Sequence, residues 1–529
     1  MTQVKPVESL TLALWKSAAT EVMAERLGLS GTAGGIDADH PILAGVDRYS
    51  EAVARGEKIP PPKRGKTLRD DDPAVAAYLA QLHHGLGHAR GVGDAKLEAE
   101  IKDQLAAFKF GNPPWQQMSQ QYYKYYAQYP YHTGGRPRYR AWNAFDGGKG
   151  NPDYSVIEWR LPADATVALV GDIGTGTDIA AAVLVAALSF KPDAILHVGD
   201  VYYSGTRFEF AHRFIGLFET VMAAQGLRVP VFTVPGNHEY FTGNLAFFEY
   251  LDNGKLAPLP GQRQAASYFA LMSADDGWQF LGMDTGYYGH YFAVSAEQQR
   301  AELALLHQRD PKVPLNLPIQ QLPLPVDMAI LRDDEAQWQS RRIESFAGQS
   351  VLLSHHPLYS AAIDCGIAQR TTPGADGKPV PVASDTNRLW VDTGIWRQLG
   401  RYFGARVPAW FWGHEHNLNI FRNDYRPADW PDDPDTAKIF RTLPLGRCIG
   451  HSAIPVNETE GPYAQKYPVP LKSPELRLGL TDGWYNHGFE IVKLAGSGRP
   501  AHVSYYQIVG VDPRPLLMHE EDFGGETGR

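Results

Sequence analysis

Cysteine is scarce in this chain of 529 residues: there are two, Cys365 and Cys448, far apart. A small fold stapled by disulfides needs several closely spaced cysteines, so that class is excluded. Long apolar runs are missing as well. No stretch approaches the roughly 20 apolar residues that cross a bilayer, so no membrane segment is expected. Positive charge is in deficit, with 50 Lys and Arg against 59 Asp and Glu and a formal net charge of −9. Gripping a nucleic-acid backbone asks for a basic face, so that partner is not expected. The opening residues MTQVKPVESLTLALWKSAATEVMAERL lack the basic start, apolar run and small-residue cleavage site of a secretory signal. The expectation is a cytoplasmic enzyme.

The chain has ample material for a core, since 43% of it is hydrophobic. Its length predicts two or three domains. Residues 1–150 read as helices and loops. Leu10, Leu14, Ala18 and Val22 recur at helical spacing, and Gly28 and Gly31 close that run. Asp72-Pro73 is a helix start before AVAAYLAQLHHGL. Leu97, Ile101, Leu105 and Phe108 make a further stripe, ended by Gly111 and Pro113. The stretch QQYYKYYAQYPYHTGGRPRYR is rich in tyrosine. It reads either as a stacking surface for nucleobases or as an aromatic face packed on the next domain. The acidic balance of the chain favours the second.

The grammar changes near residue 155. Short apolar runs alternate with helical ones: TVALVGD, AAAVLVAALSF, AILHVGD, FAHRFIGLFETVMAA and VPVFTVPGNHE. That order is β-α-β-α-β and predicts a layered α/β domain. Later strands are expected at WQFLGMDT, SVLLSHH and PAWFWGHEH, and HGFEIVKL and AHVSYYQIV read as an antiparallel pair across the GSGRP turn. PKVPLNLPIQQLPLPV and residues 364–385 read as surface excursions.

Metal-competent side chains stand at the ends of five of these strands. Asp172 follows TVALVG, Asp200 and Tyr203 follow AILHVG, and Asn237 and His238 follow VFTVPG. His355 and His356 follow SVLLS, and His414 and His416 follow PAWFWG. Ligands in open α/β sheets bind beyond the carboxyl ends of strands, so these loops should converge. A carboxylate can bridge two cations, while imidazoles and an amide oxygen fill borderline sites without excess charge. Glycines before Asp172, Asp200, Asn237 and His414 allow tight turns there.

Three other motifs are weaker. VALVGDIGTGTDIA has strand, glycine turn and helix, but its spacing is G-x-x-G-x-G and Asp172 would repel a phosphate. His84 and His88 in HHGLGH stand one helical turn apart, as a metal pair would, but two glycines interrupt the helix and surface histidines are the expected reading. GNHE and GHEH contain His-Glu, yet neither is the H-E-x-x-H of zinc proteases.

The series GDIG, GDVYY, GNHE, SHHP and GHEH resembles the calcineurin-like metallophosphoesterases. The usual D-x-H of their first motif is here Asp172-Ile173-Gly174, without the histidine, and a tyrosine stands three residues after Asp200. That combination resembles the purple acid phosphatases. The resemblance implies an α/β, calcineurin-like four-layer sandwich, two β-sheets flanked by helices, over residues 151–512. Inserts fall near 286–345 and 360–385, a mostly helical region covers residues 1–150, and residues 513–529 are left as a tail. It implies one metal held by Asp172, Asp200, Tyr203 and His416, and a second held by Asp200, Asn237, His355 and His414, with Asp200 bridging. His355 is preferred to His356 because the family ligand stands two before the proline, here Pro357. His238 would be the acid that protonates the leaving oxygen. The ions expected are iron with zinc, manganese or a second iron. The activity implied is hydrolysis of a small phosphate monoester by a hydroxide bridging the metals, with a cyclic-nucleotide or other small diester as the alternative. A metal-free interaction module is the reading outside enzymes, and the complete ligand set argues against it.

Overall fold

The structure, a computed structural model, describes residues 4, 10–29, 40–63, 69, 71–107, 113–128, 137–144, 150–289, 330–360, 362, 366–373, 379–389, 393–422, 442–463, 471 and 473–525. Among the described residues, five helices build the N-terminal region: α1 (Leu10–Arg26), α2 (Pro41–Ala54), α3 (Pro73–Val92), α4 (Ala95–Ala107) and α5 (Pro113–Gln128). Asp72 caps α3 as its sequence predicts, its side chain accepting from the Ala74 amide at 2.8 Å. The helix then runs on through Gly85, Gly87 and Gly91. A Cβ on Gly87 or Gly91 would run into the rings of Tyr122 and Tyr126. The glycines that weaken α3 locally are thus what let α5 lie against it. The tyrosine-rich stretch turns its rings inward accordingly. Tyr122, Tyr125 and Tyr126 are buried with Trp15 and Trp115, in a core that also takes in Tyr202, Tyr203 and Phe241. Residues 129–136 of that stretch lie outside the described residues.

The histidines of HHGLGH differ from the surface reading. His83 is 4% exposed and stacks on Trp115. His84 meets the Tyr49 hydroxyl through Nδ1 at 2.7 Å, and His88 lies edge-on to Tyr126. His83 is buried and His84 and His88 are half-buried because α2, α4 and α5 pack on α3.

Among the described residues sixteen strands follow: β1 (Thr166–Val170), β2 (Ala194–His197), β3 (Val231–Thr233), β4 (Phe269–Met272), β5 (Trp278–Gly282), β6 (Gln349–Ser354), β7 (Gly366–Pro373) and β8 (Pro379–Leu389). Then come β9 (Ala409–Trp412), β10 (Leu418–Ile420), β11 (Leu445–Ile449), β12 (Leu480–Thr481), β13 (Trp484–Tyr485), β14 (His487–Lys493), β15 (Ala501–Val509) and β16 (Asp512–Phe523). Twelve of them form two six-stranded sheets, ordered β16-β15-β14-β1-β2-β3 and β10-β11-β9-β6-β5-β4. In the first, β1, β2 and β3 are parallel. In the second, β5, β6, β9 and β11 are parallel.

Alternation along each strand explains the layers. Val167 and Leu169 of β1, Phe280 of β5 and Phe411 of β9 face one another between the sheets. Ala168 and Val170 turn outward onto α6 (Asp178–Leu188) and the helix Gly216–Ala224. Leu281, Leu352 and Trp410 turn the other way, onto the helices Asp333–Ser345 and Thr393–Leu399. Burying each large side chain contributes about 1.5–3 kcal/mol, so three stacked interfaces fix the order of the four layers. This is the α/β sandwich flanked by helices that the sequence predicts, with the helical region before it.

Two boundaries change. Residues 512–523 are not a tail. They pair antiparallel with β15 and close the first sheet as its edge, with register shifts near Tyr505 and Gln507. The edge position tolerates Pro513 and Pro515, which have no N–H to donate. Arg447 of β11, buried between the sheets, fixes this strand through a paired contact with Glu521 at 2.8 and 2.7 Å. The excursion at 364–385 is partly regular: β7 and β8 form a hairpin outside both sheets. Of the expected 286–345 insert, residues 290–329 lie outside the described residues, including PKVPLNLPIQQLPLPV. Its end, the helix Asp333–Ser345, is a layer of the sandwich.

Candidate metal centre

The sheets present their parallel strands with carboxyl ends toward one place. Asp172 lies beyond β1, Asp200 beyond β2, Asn237 and His238 beyond β3, His355 beyond β6, and His414 and His416 beyond β9. The two sheets are stitched together there. The His414 amide donates to Asp172 Oδ2 at 2.9 Å, and His355 Nδ1 meets the Val198 carbonyl at 2.9 Å. Four of these residues have left-handed backbone: Asp172 at φ 61°, Asp200 at 72°, His414 at 72° and His416 at 26°. Side chains other than glycine reach that region at a cost of about 1–3 kcal/mol, and such strain gathers at functional sites. Of the glycines before the site residues, Gly199 takes a left-handed turn at φ 102°, while Gly236 and Gly413 act by closeness. A Cβ on Gly236 would collide with Asp200 Oδ1, and one on Gly413 would stand 2.6 Å from Asp172 Oδ2.

The donor atoms fall into two groups. In the first, the Tyr202 hydroxyl lies 2.6 Å from Asp172 Oδ1, 2.8 Å from Asp200 Oδ2 and 2.9 Å from His416 Nε2. In the second, His355 Nε2 lies 3.1 Å from Asn237 Oδ1, 3.1 Å from His414 Nδ1 and 3.3 Å from Asp200 Oδ2. Asp200 Oδ2 belongs to both. Donors bound to one ion at about 2.0–2.3 Å stand about 3 Å apart, which is the spacing found in each group. Oxygen with one imidazole on one side, and imidazoles with an amide oxygen on the other, are suitable donors for first-row transition metals. The residues therefore fit a pair of ions sharing Asp200.

Burial opposes ionisation of Asp172 and Asp200, yet the surrounding histidines outweigh it and hold both carboxyls below the usual range, Asp200 far below. Burial and these two carboxylates push the Tyr202 phenol far upward. Glu239 is driven the same way by burial and by the Asp200 charge, while its carboxylate accepts from the Gly236 amide at 2.7 Å.

The tyrosine is where the sequence expectation and the structure part. Tyr203 does not reach the donors. Its ring lies between Lys16 and Arg213, 5.1 and 4.9 Å from their charged ends, and burial raises its phenol. Tyr202 takes the place instead. Gly174 shows why there is room. It bridges to Val201 and accepts from the Tyr202 amide at 2.9 Å, and a Cβ on it would lie 2.7 Å from Val201 Cα. A histidine cannot stand at 174, and the phenol from the facing strand end fills the position.

His238 is 3% exposed. Its Nδ1 meets the Tyr203 carbonyl, and its Nε2 lies 3.8 Å from Asp200 Oδ2. Burial lowers its pKa, and Asp200 opposes the shift. His356, which the family resemblance sets aside in favour of His355, also brings a ring nitrogen within 4.8 Å of those of His355 and His414. Its Nδ1 meets Thr285 Oγ1 at 3.1 Å.

Fold and site together define a metal-dependent phosphoesterase. Comparison with protein families agrees: residues 165–418 match the model of the calcineurin-like phosphoesterases, and the sandwich built on them is a calcineurin-like phosphoesterase domain. No curated protein matches the chain. No helix among the described residues is long and apolar enough to cross a membrane.

Proposed function

We propose that the chain hydrolyses small phosphate monoesters at two metal ions, in the manner of purple acid phosphatases. The observation that carries this reading is Tyr202, whose phenol completes the first donor group where Gly174 leaves no space for the usual histidine. Asp172, Asp200, Tyr202 and His416 would hold one ion, and Asp200, Asn237, His355 and His414 the other. Bound there, the ions would polarise a phosphoryl oxygen and lower the pKa of a coordinated water. The protein's own part is to fix the donors by cross-sheet hydrogen bonds and by burial. His238, with Nδ1 against the Tyr203 carbonyl and Nε2 3.8 Å from Asp200 Oδ2, would give a proton to the leaving oxygen. A phenolate donor favours iron(III) at the first ion, with zinc, manganese or iron at the second.

Metal analysis of the purified chain, followed by a panel of mono- and diesters with added iron, zinc or manganese, tests this. Two ions per chain and faster turnover of monoesters are expected. Preference for cyclic nucleotides or other diesters would overturn the monoester reading, and a chain that binds no metal would overturn the whole.

A further inference from the structure

Among the described residues, the N-terminal helical region reaches the metal centre through the loop 202–206 and through Phe241, whose ring packs on His238. The far side of the loop is held by Glu209, which is fully buried. The Glu209 carboxylate accepts from the amides of Tyr203, Ser204 and Thr206, the last two at 3.0 Å. Thr206 returns the favour by accepting from the Glu209 amide at 3.2 Å. A capping box would need only the bonds exchanged between Thr206 and Glu209. The others fold the loop around the carboxylate.

Helix α1 supplies the next contact. The Ser17 hydroxyl lies 2.8 Å from Glu209 Oε1, and within 3.0 Å of the Ala13 carbonyl in its own helix. Its neighbour Lys16 is 3% exposed, pairs with Asp47 of α2 at 2.6 Å, and places its ammonium over the Tyr203 ring. Arg213 faces the same ring and donates to the Tyr202 carbonyl at 2.8 Å. Tyr203 is thus clamped by ring, amide and carbonyl, the last meeting His238. The residue before it carries the phenol that lies among Asp172, Asp200 and His416.

We propose that α1 is a working part of the metal centre: Ser17 and Lys16, acting through Glu209 and Tyr203, are positioning residues that hold the 202–206 loop so that the Tyr202 phenol completes the first donor group. This rests on the two-ion reading and gives the N-terminal region a role in it. The second donor group shares Asp200 and meets the loop through the segment that carries Asn237, where the Tyr203 carbonyl meets His238 and Thr242 donates to the Ser204 carbonyl; its His355 and His414 stand just beyond β6 and β9, on the other sheet. Loosening α1 at Ser17 should therefore weaken the first ion more than the second.

Cobalt(II) titration of the full chain, followed by absorption and by competition with a chelator, separates the two ions. Ser17→Ala and Glu209→Gln should each weaken one cobalt class about tenfold, as expected for loss of a hydrogen bond to a charged group, and the other class by no more than about twofold. Val22→Ala, which trims the same bundle core without removing a hydrogen bond, is the control for general loosening. It should lower the melting temperature and leave both classes as they are. Equal weakening of both classes by Ser17→Ala, or the same one-class loss in Val22→Ala, would overturn the proposal. So would unchanged cobalt binding in folded Ser17→Ala and Glu209→Gln. A wild-type chain that takes up no cobalt would instead refute the metal centre itself.

Discussion

Replacing Tyr202 and Tyr203 by phenylalanine, one at a time, should separate two neighbouring residues completely. The Tyr202 oxygen has three polar neighbours within 2.9 Å, two of them carboxylates. A hydrogen bond to a charged group contributes about 1.5–3 kcal/mol, and the same oxygen would serve as a donor to metal. At 1.4 kcal/mol per factor of ten, its loss should weaken the first ion by about ten- to a hundredfold. The ring still fits, since it packs against His238 at 4.6 Å between centroids. Tyr203 lies between Lys16 and Arg213, away from the donors. Tyr203→Phe should change metal affinity by no more than about twofold, the loss of one hydroxyl appearing in stability instead. Chelator competition on folded variants, paired with nitrophenyl phosphate turnover, reads both effects. In iron-loaded protein a phenolate colour should vanish with Tyr202→Phe and persist with Tyr203→Phe. The reverse pattern, metal kept without the 202 hydroxyl and lost without the 203 hydroxyl, would refute the assignment.

Asp200→Ala should release both ions and nearly all hydrolysis, because Asp200 Oδ2 is the atom common to the two donor groups; metal content near wild type would contradict the shared role. His238→Asn, with metals retained, should slow alkyl phosphates by about 10²–10⁴-fold and nitrophenyl phosphate much less, since only the poor leaving group needs the proton. Equal losses on both esters would exclude the acid role. His83 gives a prediction in stability. Burial, with Arg90 nearby, lowers its pKa to about 4, whereas an unfolded histidine titrates near about 6.5. The unfolded chain takes up the proton first, so the contribution is complete above that value and is lost as pH falls toward 4. At pH 5 the loss is about 2 kcal/mol. Urea melts at pH 7.5 and pH 5 should show it, and His83→Leu should remove that part of the difference; an unchanged difference would refute the origin.

Much of this was legible in the sequence because strand ends and periodicity are local. β1, β2, β3, β6 and β9 each announce themselves by a short apolar run, and polar side chains within a few residues of each run's end come together. The tyrosine was not legible. Tyr202 and Tyr203 are adjacent, and which one points inward depends on how 201 bridges to Gly174 and how Glu209 gathers the loop. Both contacts are tertiary. β16 was missed for a related reason: its prolines argue against a strand until the outer edge of a sheet is available to hold it. The histidines of α3 were misread because the glycines beside them look like helix breakers. They become contact points only when Tyr122 and Tyr126 are known to press on them.

The distances along the chain between the parts of the centre bear on when it forms. Asp172 meets the His414 amide across 242 residues, and Ser17 meets Glu209 across 192. Contacts of such separation are costly in loop entropy and form late in folding. The pieces of each donor group should come together only after both sheets have met, and the first group after the helical bundle has docked on its loop as well. An ion therefore arrives at a finished frame and has little to organise on the way. Adding metal during refolding should leave the folding rate as it is and slow unfolding, so that the centre acts as a latch on the native state.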